Sequence, residues 1–495
     1  MEAILCATAS SSGTGTISLH DIRTGTNLAS FKQSNAAVHC TAFVETSNSQ
    51  GGFILASQPD KSILNVYNFQ KDQITLKIVL PERLSAIAVD ARGQFCAGGT
   101  AQGRIYLWEV ASGILYNSWD AHYRQITILR FTTDGAAIVS GSEDSAVSVW
   151  SVSRLTDLDL QNDLPLPYCT FSDHTLPVTD IICGVGSFPS CRVLTSSVDH
   201  SAKLWDLASR SLLTTFQFPQ TISCLAWDPT ERIFWAASPN GSIHQMNLFR
   251  QRNDKLGGQV TEAIGGASVS DIIRVGEDQE YQKKRLISVG DTITALTISI
   301  TSALLLVGTS TGMIHVYDIP SHQPLRTIST HQGYSITYLA SMLRPPDLIG
   351  HISLNLAINS VADAKDIIPV KPVSPFQRTR DPKAREAHVV PMMLPVQNSM
   401  YEDEVSNYPA EELRRDHAFF IQPSTSSSAP GVDHTSLQSK IVGLEAEVER
   451  LQEQLGKAKS VNDIMWDTIV QQAVGQSKIT EDPGDAERKR KRGRS

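Results

Sequence analysis

Between residues 1 and 343 the chain alternates short apolar runs with clusters of Gly, Ser, Thr, Asp and Asn, which predicts short strands joined by tight turns. Seven of these runs align on one position: "TISLHDI", "ILNVYNF", "RIYLWEV", "AVSVWSV", "AKLWDL", "SIHQMNL" and "MIHVYDI". The aligned residues are His20, Tyr67, Trp108, Trp150, Trp205, Met246 and Tyr317, at spacings of 47, 41, 42, 55, 41 and 71. A period of roughly 40 to 45 residues is that of a four-stranded unit. The two long spacings contain polar insertions, at about 154–167 and 250–285.

Each unit repeats an internal grammar. Ahead of Trp150 stand "HYRQITILRF", "TTDG" and "AAIVSGSEDS"; ahead of Trp205 stand "HTLPVTDIIC" and "CRVLTSSVDH". This reads as strand, turn, strand, turn, strand, with a fourth strand after the Trp ("ILYNSW", "LLTTF"). Residues 2–343 therefore resemble the WD-repeat β-propellers: all-β, seven-bladed, without catalytic machinery of their own. In that family a His before the first strand, a Ser or Thr on the second, an Asp in the next turn and the Trp form a hydrogen-bonded set. His122, Ser140 or Ser142, Asp144 and Trp150 match it, as do His174, Thr195 or Ser197, Asp199 and Trp205. Such a set satisfies a buried indole N–H and imidazole, so these residues read as scaffold rather than site.

The chain also begins in mid-blade. "EAILCATAS" reads as a second strand and "TISLHDI" as a third, while "YSITYLASML", 334–343, has the pattern of a missing first strand. The ring should close by pairing the two, which removes both sheet edges.

Composition agrees with a large core: 41% of residues are hydrophobic, with 7 Trp, and 31 Gly suit the turns. Seven cysteines form no C-x-x-C pair, which argues against a zinc site or disulfide framework. The segment "TITALTISITSALLLVGTS" is too rich in Thr and Ser for a membrane span and reads as two strands. One string, "GTSTG" at 308–312, fits a nucleophile elbow around Ser310, but that elbow needs a strand-to-helix turn, and apolar strands lie on both sides. The 13 His show no H-E-x-x-H spacing, and no phosphate-binding loop follows a predicted strand. No cofactor, metal or catalytic residue is expected.

Past 343 the grammar changes. Residues 344–422 are Pro-rich and non-repeating, with Val, Met, Leu and Phe interspersed, which suits either an extended ligand lying on a partner or a tether. Residues 423–433, "PSTSSSAPGVD", read as a linker. Within 434–475, Ile441, Leu444, Val448, Leu451, Leu455 and Ala458 recur at heptad spacing and predict a helix that pairs, most simply as a homodimer; docking on its own propeller is the rival. Met465, Trp466 and Ile469 continue an apolar face and form a candidate partner anchor. Residues 476–495 end in Arg488, Lys489, Arg490, Lys491, Arg492 and Arg494, a nuclear-localisation pattern with nonspecific RNA contact as its rival. With six of the 43 basic residues there, residues 1–487 carry 37 against 51 acidic side chains, net −14, so the body repels a phosphate backbone.

A propeller followed by "LRPPDLIGH", then "LEAEVERLQEQLGKAKSVNDIMWDTIV" and a basic end, resembles the pre-rRNA-processing WD-repeat family: the Ipi-type subunit of the fungal Rix complex and the animal WD-repeat protein 18 type. The resemblance implies a nuclear scaffold on precursors of the large ribosomal subunit, required for removal of an internal transcribed spacer. It also implies Rix-type and Ipi-type partner subunits and the AAA ATPase midasin. A chromatin or DNA-replication adaptor built from the same parts is the alternative.

Overall fold

The computed structural model describes residues 1–348 apart from 11–13, 33, 48–49, 158–162, 254–258, 265–270 and 276–285, then 370–381, 383, 384, 388, and 446, 450, 453, 454 and 457. The chain divides into two compact units, Met1–Val396 and Gln397–Ser495.

The first unit is a ring of seven four-stranded antiparallel blades. Blade 1 orders its strands Ser335–Leu343, Glu2–Ala9, Ile17–Asp21 and Asn27–Phe31 from the central channel outward. Blade 2 spans Thr41–Val44 to Leu76–Val79, blade 3 Leu84–Val89 to Leu115–Asp120, and blade 4 Ile126–Phe131 to Cys169–Phe171. Blade 5 begins at Val178–Cys183, blade 6 at Cys224–Trp227 and blade 7 at Ile293–Ile298. Ring closure is as the sequence predicts: residues 2–9 pair antiparallel with 335–343, so strands from opposite ends of the repeat region share one sheet.

The core is divided among the blade junctions, one hydrophobic cluster to each. In Glu2–Ala9, Ala3, Leu5 and Ala7 face blade 2 while Ile4 and Cys6 face blade 7. Because successive side chains point to opposite faces, a strand flanked by two blades must be apolar on both, hence unbroken runs such as "AILCA". Close approach needs small residues on second strands. A Cβ on Gly141 would meet Ile181 at 2.8 Å, and one on Gly308 would meet Ile336 at 2.7 Å, each in the next blade.

Hydroxyls near the channel link successive blades. Ser85 donates to Ile126 O (2.7 Å), Thr127 to Val178 O (2.8 Å) and Thr179 to Ile222 O (2.7 Å). Asp180 accepts the Leu225 N–H at 2.8 Å and lies 3.8 Å from Arg130, tying blades 4, 5 and 6. All seven cysteines are free thiols; burial pushes those of Cys6, Cys40 and Cys183 up to about 12, so they serve as core residues.

Two features depart from the sequence reading. The insertion at 250–285 is more than a polar loop: it holds a hairpin, Phe249–Asn253 with Gln259–Ala263, and a strand, Asp271–Arg274, that adds in parallel to the outer edge of blade 5. An outer edge asks only for backbone donors and acceptors, so an added strand needs little apolar pattern. The propeller body also extends past 343: Arg344 N–H donates to Met1 O, Leu348 is buried, and Asp347 accepts the Thr46 hydroxyl. No helix among the described residues is long and apolar enough to cross a membrane.

Candidate interaction surface

The face carrying the loops ahead of each first strand rests on two polar networks. His122 and His174 sit in these loops, Ser140 and Thr195 on second strands, and Trp150 and Trp205 on third strands. His174 Nδ1 lies 3.0 Å from Asp199 Oδ2 and Nε2 lies 2.8 Å from Thr195 Oγ1, which accepts the Trp205 indole N–H at 2.9 Å. In blade 4, His122 reaches Asp144 at 3.1 Å and Ser140 at 2.8 Å, and Trp150 N–H donates to Ser140 at 3.0 Å. A carboxylate only accepts, so Nδ1 carries the imidazole proton and Nε2 accepts from the hydroxyl. Of the two hydroxyls open in each blade, Ser140 and Thr195 occupy the centre, while Ser142 and Ser197 hold loop carbonyls, Arg124 O and Leu176 O.

Burial opposes ionisation of Asp144, but hydrogen bonds from His122 and from the N–H groups of Ala146 and Tyr123 prevail and hold it at about 2. Asp199 is likewise held well below the usual carboxylate range against burial, by His174 and Ser201. Every polar atom of these sets is engaged within the fold, which leaves them nothing to offer a ligand.

What the face offers lies above them. A cavity of about 830 Å³ opens among the loops of blades 1 to 4, lined by His39, Glu82, Arg83, Gln102, Gln125 and Thr127. The loops ahead of first strands also carry exposed apolar side chains: Val38, which lines the cavity, Tyr123 (99% exposed), Leu176 and Tyr334. Burial lowers the His39 imidazole, and Arg130 lowers it further while Asp180 opposes, so at neutral pH it is an uncharged donor and acceptor. Among the described residues no group of His, Cys, Asp or Glu can hold a metal ion. A cavity that mixes an acid, a base and uncharged polar groups, beside loops with exposed apolar side chains, suits recognition of a protein surface. Ser310 lies in a hairpin turn between Leu304–Thr309 and Ile314–Asp318, so the strand-to-helix geometry of a nucleophile elbow is not built there.

Two blades solve the same packing problem in other ways. In blade 3, Gly98 stands where Ser140 and Thr195 stand, two residues past the partner of the Trp (Cys96 opposite Trp108, Ile138 opposite Trp150, Val193 opposite Trp205). With no hydroxyl available, Trp108 N–H donates to Gln377 O at 2.9 Å. Phe376, 4% exposed, stacks on Trp108 with centroids 5.2 Å apart, and Tyr106 stacks on Trp108 at 5.3 Å.

Residues 370–377 thus form a strap across the opposite face, under blades 2 and 3. Lys371 N–H donates to Gly51 O, Ser374 N–H to Val110 O and Gln377 N–H to Gly113 O. This corrects the sequence expectation for that part of 344–422: its apolar residues lie on the chain's own propeller, because Phe376 completes an aromatic stack that blade 3 leaves open. In blade 1, His20 takes the Trp position and its Nε2 lies 2.8 Å from Nε2 of His331, with the Ser18 hydroxyl 3.1 and 2.9 Å from the two rings. The missing Ser or Thr at Gly98 is the one sequence cue to the strap; the histidine pair had none.

In the second unit, Ala446, Arg450, Glu453, Gln454 and Lys457 are helical and exposed, with Lys457 Nζ 2.8 Å from Glu453 one turn earlier. The predicted seam (Ile441, Leu444, Val448, Leu451, Leu455), the anchor (Met465, Trp466, Ile469) and the basic residues (Arg488, Lys489, Arg490, Lys491, Arg492, Arg494) lie outside the described residues.

The WD domain, G-beta repeat family matches residues 113–151 and 166–206, the two stretches that end in the blades with complete polar sets. The chain is 31% identical to the pre-rRNA-processing protein IPI3 of Mycosarcoma maydis, over 97% of both chains. It is 27% identical to the protein of that name from Yarrowia lipolytica, over 91% of this chain and 96% of the relative. Human WD repeat-containing protein 18 is 28% identical over 66% of this chain and 70% of its own.

Proposed function

The chain belongs to the family of Ipi3-type pre-rRNA-processing WD-repeat proteins, and from that premise we propose that it is a non-enzymatic scaffold subunit of a nuclear complex that processes precursor ribosomal RNA. The observation that carries this reading is the reach of the similarity, which runs through nearly the whole of both chains and so includes the segments beyond the propeller. The fold supports it: the polar atoms of blades 4 and 5 are consumed in holding the ring, and loops with exposed apolar side chains remain for protein contacts.

In this reading the complex removes an internal transcribed spacer during maturation of the large ribosomal subunit precursor. Rix-type and Ipi-type subunits and midasin are its partners. The 434–475 helix pairs two copies through Ile441, Leu444, Val448, Leu451 and Leu455, Met465, Trp466 and Ile469 anchor a partner, and the basic end directs the chain to the nucleus. The test is depletion of the chain, with hybridisation probes against spacer-containing precursors, alongside affinity purification of the tagged chain. Accumulation of those precursors and recovery of large-subunit precursor particles are expected. Normal spacer removal with recovery of origin-licensing proteins would overturn the reading in favour of a replication adaptor.

A further inference from the structure

Ser374 precedes Pro375 in extended chain, with Arg378 and Thr379 exposed just beyond. Its docked environment is built from acceptors. The Ser374 hydroxyl donates to Ala111 O at 2.5 Å, its N–H donates to Val110 O at 3.0 Å, and the Gln377 N–H donates to Gly113 O at 2.8 Å. There is no slack on this side: a Cβ on Gly113 would come within 2.2 Å of Pro375 O and 3.4 Å of Ser374 Cβ. A surface of carbonyl oxygens holds a hydroxyl that donates and repels a phosphate that only accepts and carries nearly two negative charges.

We propose that Ser374 is a phosphorylation site for a proline-directed serine/threonine kinase, and that the phosphorylated strap cannot dock beneath blades 2 and 3. The Ser374 oxygen attacks the γ-phosphorus of a nucleoside triphosphate held by the kinase. The new O–P bond replaces the bond to the β,γ-bridging oxygen, the hydroxyl proton passes to the kinase base, and the nucleoside diphosphate leaves. The kinase acts on strap that has swung free, since the docked hydroxyl is engaged, and the phosphate then bars its return. Release uncovers the Trp108 face and withdraws the acceptor of its N–H.

The full-length protein, incubated with a proline-directed kinase and magnesium ATP, tests this by site mapping and hydrogen exchange. The expected result is phosphate on Ser374, with amide exchange at Ser374 and Gln377 accelerated about a hundredfold. Phe376→Ala, which frees the strap, should take phosphate faster, and Pro375→Ala should take none. Phosphorylated chain that keeps its protection, or a Phe376→Ala chain left unmodified at Ser374, overturns the proposal.

Discussion

Thr195→Val is the sharpest probe of the polar sets, because it keeps the shape of the side chain and removes one oxygen. That oxygen accepts from Trp205 and faces the imidazole of His174, and all three residues are buried. Two buried polar groups lose their partner, at about 1–3 kcal/mol each, and because they share one network about 3 kcal/mol together is expected. An unfolding entropy of about 2.1 cal/mol/K per residue over a propeller of about 340 residues turns this into a midpoint lowered by about 4 °C. Two strands outward in the same blade, the Thr214 hydroxyl is fully buried and finds no hydrogen-bond partner among the described residues. The identical substitution there removes an unsatisfied group, so Thr214→Val should be neutral or stabilise by about 1 kcal/mol. Thermal scans of both variants at one scan rate, followed by tryptophan fluorescence, give the comparison. Equal midpoints, or a larger loss from Thr214→Val, would refute the assignment of Thr195 as the centre of the network.

Gly98→Ser restores the hydroxyl that blade 3 lacks, yet its Cβ would meet Leu84 at 2.8 Å and Trp108 at 2.9 Å, so denaturant titration should show a loss of about 2 kcal/mol. Burial, with His331 beside it, holds the His20 imidazole down at about 4, and burial lowers His331 as well. Both bind protons less readily folded than unfolded, so their stabilisation is complete above about pH 6.5 and fades as pH falls toward 4, by about 2 kcal/mol for His20 at pH 5. A His20→Phe chain should lose less stability between pH 7 and pH 5 than the parent, and an equal loss would count against the pair. Light scattering should give the full chain twice its monomer mass, reduced to one copy by Leu444→Asp with Leu451→Asp; an unchanged mass refutes pairing through that seam.

The parts of the molecule legible in sequence are those that need particular residue types at fixed intervals. His174, Thr195, Asp199 and Trp205 fall within one blade, so their chemistry and spacing announce each other. Ring closure was legible by counting strands. The strap was not, because its receptor is Trp108 and its cue is a missing hydroxyl at Gly98 in a distant part of the chain. The His20–His331 contact joins opposite ends of the repeat region, and His331 reads as an ordinary loop residue until the ring is closed. The strand Asp271–Arg274 leaves no mark in the sequence pattern, since parallel addition at an edge is carried by backbone groups, which sequence does not display.

The shared sheet of blade 1 sets a schedule for biosynthesis. Glu2–Ala9 leaves the ribosome ahead of the other strands of the ring, yet the strand that covers its inner side, Ser335–Leu343, is among the last of the ring to be translated. Until the ring is almost fully translated the nascent chain therefore carries an open, largely apolar strand with unpaired amides, the kind of edge that recruits chaperones or a neighbouring polypeptide.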